Sequence, residues 1–443
     1  MNMEQTAAAS AGTDNGIGKQ GFSTGPSGFN PGMAEARRNA IFVMESLRSG
    51  IPTRLSTRLL PDLRRNITER IHSDLEKFGT DRVPSGRMLW GQYGQGKTHA
   101  LTAIEHMALD RNFAVSRVTL SREVSCHNLF HLFGQLVPRI RTASSTQEGI
   151  TPCLSKIHPE EIEGTVLFDE NRYSNPLPRH ILEDVLFAEG EDKEKLLGEL
   201  SGIRLPVGEI GRIHRSLHGR PLPKCQFKVT EHADAYYGVV ADTLRLAGFE
   251  GWVILIDEVE LIGRLGKQAR LKAYRNLHWL LNWGGRMRYP IYAVAAAASR
   301  LQDDLWYGKT DDDRTIMPEL AQTRYGEEDA RNITSFFSRA IGSDSMTIQP
   351  AGQQELVELL DSIARLHGHA YGWTPTFQGE DILRNLGAKP ARTHVRAALE
   401  YLDLQMLYAR EGESASIAVP DSFELMETEM TEDECLAEIS PEE

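Results

Sequence analysis

Two short stretches hold residue types that, brought together, handle phosphate. In Arg87–Ala100, RMLWGQYGQGKTHA, the residues Gly91, Gly96, Lys97 and Thr98 satisfy the spacing G-x-x-x-x-G-K-[ST]. Gly94 and Gly96 allow the backbone to wrap close to an anion. Successive N–H groups and the positive end of the following helix then face it. The candidate cradle runs through Gly91, Gln92, Tyr93, Gly94, Gln95, Gly96, Lys97, Thr98 and His99. In that cradle Lys97 neutralises the β- and γ-phosphates of ATP and the Thr98 hydroxyl ligates Mg²⁺. The second stretch, GWVILIDEVE, is an apolar run ending in acids. Asp257 is placed to hold the Mg²⁺ through water, and Glu258 to polarise the water that attacks the γ-phosphate. Lys97 and Glu258 are thus the candidate catalytic pair, and Thr98 and Asp257 the candidate metal ligands. No role follows for Glu260.

These groups need a strand before the glycine loop, a helix after it and a strand ending at Asp257. Arg87–Trp90 reads as the first strand, and the Leu101, Ile104, Met107, Ala108 stripe as the helix. FAVSRVTL (113–120) alternates like a second strand. Trp252–Ile256 and Ile291–Ala298 read as buried strands, and Ile316–Leu320 as a fifth. Strands alternating with helices imply an α/β fold with a parallel sheet covered on both faces, a P-loop core of the AAA+-like kind.

The expected division is a disordered head (1–32), a helical lead-in (33–82), an ATPase core (83–335), a helical lid (336–410) and an acidic disordered tail (411–443). About 130 residues separate the second strand from Trp252, too many for one structureless loop, so a helical insertion is expected over about 142–235. Three further residues are candidates around the nucleotide. Ser299 follows the 291–298 strand, where a γ-phosphate sensor or a helix N-cap would sit. Arg314 precedes the expected fifth strand, where a finger into a neighbouring subunit is placed. Arg392, with Arg396, begins the last helix, where a lid sensor is placed.

The net charge of −13 is concentrated at one end. Twelve acidic residues follow Arg410, and without them the remainder carries −1. Eight arginines between Arg37 and Arg70 face only Glu45, Asp62 and Glu69, a basic run that fits a solvated helix face or a DNA contact. The segment Arg264–Trp283 interleaves Arg264, Lys267, Arg270, Lys272 and Arg275 with Tyr274, Trp279 and Trp283. That pattern suits either a nucleic-acid grip or a core helix with a charged face. Cys126, Cys153, Cys225 and Cys435 lack C-x-x-C spacing, and His127 and His131 lack a third ligand, so neither disulfides nor a metal centre is indicated. No apolar run reaches the ~18–20 residues that span a bilayer, and the start lacks signal-peptide character. The expected location is cytoplasmic, without a membrane partner.

Several stretches together resemble the P-loop ATP-binding proteins of bacterial BREX anti-phage defence loci, the group called BrxD. They are RRNAIFVMESLRSGIPTRL, GQYGQGKTHAL, ADTLRLAGFEGWVILIDEVELI and GAKPARTHVRAALEYLD, within Ala34 to Leu407. The resemblance implies an AAA+-like ATPase that uses ATP and Mg²⁺ and works with other defence-system proteins, among them a helicase. It also implies engagement of double-stranded DNA, and ring-forming relatives imply a homo-oligomer. The chain departs from the family in reading Pro390-Ala391-Arg392, where an arginine is expected directly after the proline. Two other readings suit the same motifs: an origin-recognition or helicase-loading ATPase, and a nucleotide-gated scaffold with little turnover.

Overall fold

The structure is a computed structural model. It describes residues 31–409 except 52, 79–82, 159–161, 163, 170, 225, 309–311 and 388. The acidic tail and all but the last two residues of the expected head lie outside the described residues, as do Cys225 and Cys435.

Helices α1 (Pro31–Ser49), α2 (Arg54–Leu59) and α3 (Arg65–Glu76) precede strand β1 (Arg87–Gly91), the glycine loop and α4 (Lys97–Asp110). Strand β2 (Ala114–Thr119) is followed by α5 (Leu129–Leu136), α6 (Thr151–Leu154), α7 (Leu177–Phe187), α8 (Gly190–Leu200), α9 (Val207–His218) and α10 (Val229–Leu246). Next come β3 (Trp252–Asp257), α11 (Lys267–Leu280), β4 (Ile291–Ala298), α12 (Asp313–Tyr325) and α13 (Glu327–Ala340). The chain closes with β5 (Ser345–Thr347), α14 (Gln353–Tyr371), α15 (Gly379–Leu386) and α16 (Ala391–Ala409).

Among the described residues the five strands form one parallel sheet in the order β2-β3-β4-β1-β5. Every residue of β1 and β3 is buried, as a parallel strand covered on both faces requires. In β4 the run Ala295–Ala297 keeps side chains small between β1 and β3, and Gly91 pairs in register with Ala298. Because all strands point one way, Gly91, Asp257 and Ala298 end at the same edge, where ligands of open α/β sheets bind.

One sheet face is covered by α3 and α4 through Ile67, Ile71, Leu101 and Ile104. The other is covered by α5, α10 and α11, and its core continues without a break into the helices between β2 and β3 through Ile181, Leu196, Ile210 and Ile213. The lead-in divides between two partners. Whereas α3 packs on the sheet, Val43 and Met44 of α1 pack with Ile363 of α14 and Leu402 of α16. Arg48 fixes this contact by donating to both oxygens of Asp403, at 2.7 and 3.0 Å, and to the Tyr371 hydroxyl.

One expectation is corrected. Ile316–Leu320 is not a strand: it lies inside α12, where Met317 and Ala321 are buried four residues apart and Asp312 caps the helix by accepting from the Thr315 N–H. The fifth strand is instead Ser345–Thr347, paired with Met88–Trp90. Three polar or half-exposed residues at a sheet edge leave no hydrophobic signal. The Arg264–Trp283 segment follows the second of its two readings, a core helix with a charged face. Tyr274 and Trp283 are buried, the Trp283 ring N–H donates to the Gly86 carbonyl, and Trp279 packs edge-on to Tyr237 at 5.3 Å. Arg270 donates twice to Asp313 at 2.9 Å, and the Tyr274 hydroxyl donates to the same carboxylate at 2.8 Å.

That carboxylate is fully buried. Asp313→Ala removes the acceptor of three hydrogen bonds while leaving their donors inside, a loss of about 3–5 kcal/mol. Urea unfolding should show a clearly lower midpoint; an unchanged midpoint would mean that the pair does not anchor α12 to α11.

Candidate nucleotide site

The loop between β1 and α4 owes its shape to two glycines in the left-handed region, Gly94 at φ 75° and Gly96 at φ 91°, the latter being the residue before α4. A side chain at either position would be strained. Lys97 is buried, and its ammonium donates to the Gly91 and Gln92 carbonyls, both at 3.3 Å. Gln95 closes the loop on itself by accepting the Gln92 N–H at 2.7 Å. Tyr93 is 65% exposed at the loop tip, and the His99 imidazole is held below its usual pKa by burial. The N–H groups of a left-handed glycine turn leading into a fourteen-residue helix, next to an ammonium, form an anion cradle.

The two stretches singled out in the sequence meet here. The Thr98 hydroxyl donates to Asp257 Oδ2 at 3.1 Å, and Asp257 is buried at the end of β3. A hydroxyl and a carboxylate at this separation are a pair of hard oxygen ligands suited to Mg²⁺ beside phosphates. Glu258 follows in a left-handed conformation, φ 59° and ψ 38°, rare for a residue with a side chain and costing on the order of 1–3 kcal/mol. Its N–H donates to Asp257 Oδ1 at 3.1 Å. Burial, and then the nearby charges of Glu260 and Asp257, raise the Glu258 pKa to about 7. A carboxyl poised there exchanges a proton near neutrality.

Three residues that sequence reasoning passed over complete the surroundings. Glu260 hydrogen-bonds Glu258 and accepts the Ala298 N–H at 2.9 Å, tying the acid pair to the end of β4. Arg117 of β2 donates to Asp257 Oδ2 at 3.0 Å and to the Thr102 hydroxyl at 2.8 Å. A lone charge in the FAVSRVTL strand is the available signal. Arg64, the residue before α3, is 6% exposed and donates to the Gln95 carbonyl at 2.5 Å. Its pKa is lowered by burial, against the opposing charges of Glu355 and Asp62, and a lead-in arginine is thus tied to the glycine loop. Nothing in the local sequence distinguishes it from its arginine neighbours.

The remaining candidates fall at different distances from this centre. Ser299 lies beside the loop, its N–H donating to the Gly91 carbonyl at 3.2 Å. Arg314 is exposed on the first turn of α12, its guanidinium 5.3 Å from the Tyr307 ring. It therefore starts a helix rather than preceding a strand. Arg392 lies at the lead-in: a Cβ built on Gly50, just past α1, would come within 2.8 Å of its Nη2. Among the described residues Arg392 makes no hydrogen bond to the glycine loop.

Residues 35–168, which include the whole loop, match the model of the family described as BREX system ATP-binding protein BrxC/D. No curated protein matches. The solved structure of the Aeropyrum pernix ORC1 protein in complex with DNA is similar at 14% identity and a TM-score of 0.32, over 81% of this chain and 65% of that one. At that score neither molecule informs the other's function.

The raised pKa of Glu258 carries a stability consequence. A carboxyl whose folded pKa exceeds its ordinary value favours the protonated form, so stability is greatest below the ordinary carboxylate range and declines as pH rises through about 7. Glu258→Gln, neutral throughout, should raise the melting temperature at pH 8 and change it little at pH 5. Equal shifts at both pH values would contradict the burial of this charge.

Proposed function

We propose that this chain, whose match over residues 35–168 supports a BrxC/D-like ATP-binding family, hydrolyses ATP and uses the energy to remodel or load a DNA-bound complex in BREX anti-phage defence. One observation carries the reading: the Thr98–Asp257 hydrogen bond closes a phosphate cradle onto a strand-end acid pair. ATP would lie with its phosphates over Gly94–Thr98, and Thr98 and Asp257 would hold the Mg²⁺. The bound ion supplies charge neutralisation of the phosphates. Lys97 exchanges its two carbonyl partners for β- and γ-phosphate oxygens, and Glu258 takes the proton of the attacking water. While protonated, the Glu258 carboxyl donates to Glu260, a contact that keeps it beside Asp257. Arg117, now on Asp257, is positioned to steady that carboxylate as the metal arrives.

Ser299 is the proposed γ-phosphate sensor, on the strength of its contact with Gly91. Arg314 is proposed to act in the site of a neighbouring copy, because it is exposed and lies apart from its own loop. Arg392 retains a lid role only if nucleotide binding draws it from Gly50.

DNA contact is proposed for the exposed Arg38, Arg65 and Arg70, which make no ion pair among the described residues. Arg37, Arg48, Arg54, Arg58 and Arg64 already bond within the chain. Other defence-system proteins, a helicase among them, are the proposed partners. Among the described residues no helix is long and apolar enough to cross a membrane.

Steady-state ATP hydrolysis with and without double-stranded DNA tests this reading. Glu258→Gln should lower kcat by about 100-fold or more while ATP is still bound. Wild-type turnover should rise between pH 6 and pH 8 with a midpoint near 7, the pKa of the base, and should rise further with DNA. Undiminished turnover in Glu258→Gln would remove Glu258 as the base, and indifference to DNA would remove the coupling.

A further inference from the structure

A second cluster of chemically capable side chains lies far along the chain from the nucleotide residues, among the helices between β2 and β3. His214 and His218, in GRIHRSLHGR, are four residues apart on one face of α9, and Asp184 of α7 faces both. His214 Nδ1 and His218 Nε2 each lie 2.8 Å from Asp184 Oδ1. The three donor atoms fall within 4.8 Å of one another, and among the described residues no other His, Cys, Asp and Glu side chains form such a group. His127 and His131, with the same spacing, are committed elsewhere: His127 to the Ser125 hydroxyl and His131 to the Glu123 carbonyl.

Hydrogen bonding alone accounts poorly for this arrangement. Asp184 and His214 are fully buried, yet one carboxylate oxygen takes both imidazoles, while Asp184 Oδ2 and His214 Nε2 have no protein hydrogen-bond partner. A buried carboxylate left half bare is costly. A cation between the three groups removes that cost, because it neutralises the carboxylate and can engage either oxygen.

We propose that Asp184, His214 and His218 bind a divalent transition-metal ion of the zinc class, clasping α7 to the last turn of α9. Two imidazoles and a carboxylate suit zinc-like ions rather than Ca²⁺ or Mg²⁺, which prefer oxygen alone. Ligand bonds of about 2.0–2.1 Å set tetrahedral donors about 3.3 Å apart, so the two 2.8 Å separations need widen by about half an ångström, while the two imidazole nitrogens, within 4.8 Å of each other, settle to the same spacing. Each neutral imidazole shifts its proton to the other ring nitrogen, and no net proton need leave. His218 is 16% exposed beside the half-exposed Phe187 ring and provides the way in. The fourth position is left to water or to a group brought by a partner.

The test is a Co²⁺ titration of the full-length, chelator-treated chain without nucleotide, read by the visible absorption of the bound ion and by competition with Zn²⁺. The wild type should take up one Co²⁺ per chain, and Asp257→Asn, which removes the acid of the nucleotide site, should bind equally. His218→Gln and Asp184→Asn should lose affinity about tenfold or more, with folding checked by circular dichroism. Absence of saturable binding in the wild type, or unchanged binding in His218→Gln, would overturn the proposal. Because His218 is partly exposed, that variant decides the matter even if Asp184→Asn does not fold.

Discussion

The hydrogen bond from Thr98 to Asp257 joins residues 159 apart in the chain, and the proposed function rests on it. It forms only because β4 lies between β1 and β3 in a parallel sheet, which brings the ends of those strands to one edge. The small Ala295–Ala297 side chains of β4 leave room for the covering helices to approach the sheet. The paired ends of β1 and β4, Gly91 with Ala298, then set Ser299 against the loop and let Glu260 buttress Glu258 through the Ala298 N–H. Loss of this register would scatter the glycine loop, the proposed metal ligands and the proposed base together.

Around that centre the chain places charge where water is scarce. Lys97, Arg64 and Asp257 are all buried within one site, and Glu258 keeps a left-handed backbone that costs energy in the folded state. Such an arrangement is poised for an occupant. The ammonium now satisfied by two carbonyls and the hydroxyl now bonded to a carboxylate each have a stronger partner in ATP with Mg²⁺. Arg64 extends the effect outward, since it touches the Gln95 carbonyl and senses the charge of Glu355 at the start of α14. The helices after β5 pack on α1 through Met44, Ile363 and Leu402.

The placement of the glycine loop and the strand-end acids was legible in the sequence because the motif demands fixed residue types at fixed spacing between strand and helix. The parallel sheet followed from β3 and β4, whose burial on both faces produces unbroken apolar runs. The fifth strand was not legible. Ser345–Thr347 is short and polar at an edge, while Ile316–Leu320 looked like a strand although its buried positions, Met317 and Ala321, follow helical spacing. Arg64, Arg117 and Glu260 were hidden for another reason: each acts through contacts made across the fold. The Asp184, His214 and His218 cluster belongs to the same class, since a pair of histidines four apart means little until a third group from another helix arrives.

The central claim is that the loop and the strand-end acid form one ATP–Mg²⁺ site, and calorimetric titration of ATP into the intact chain tests it most directly. The account predicts one ATP per chain, an affinity that falls at least about tenfold when Mg²⁺ is withheld, and loss of binding in Lys97→Ala. Binding that is the same in Lys97→Ala, or no binding with Mg²⁺ present, would contradict it.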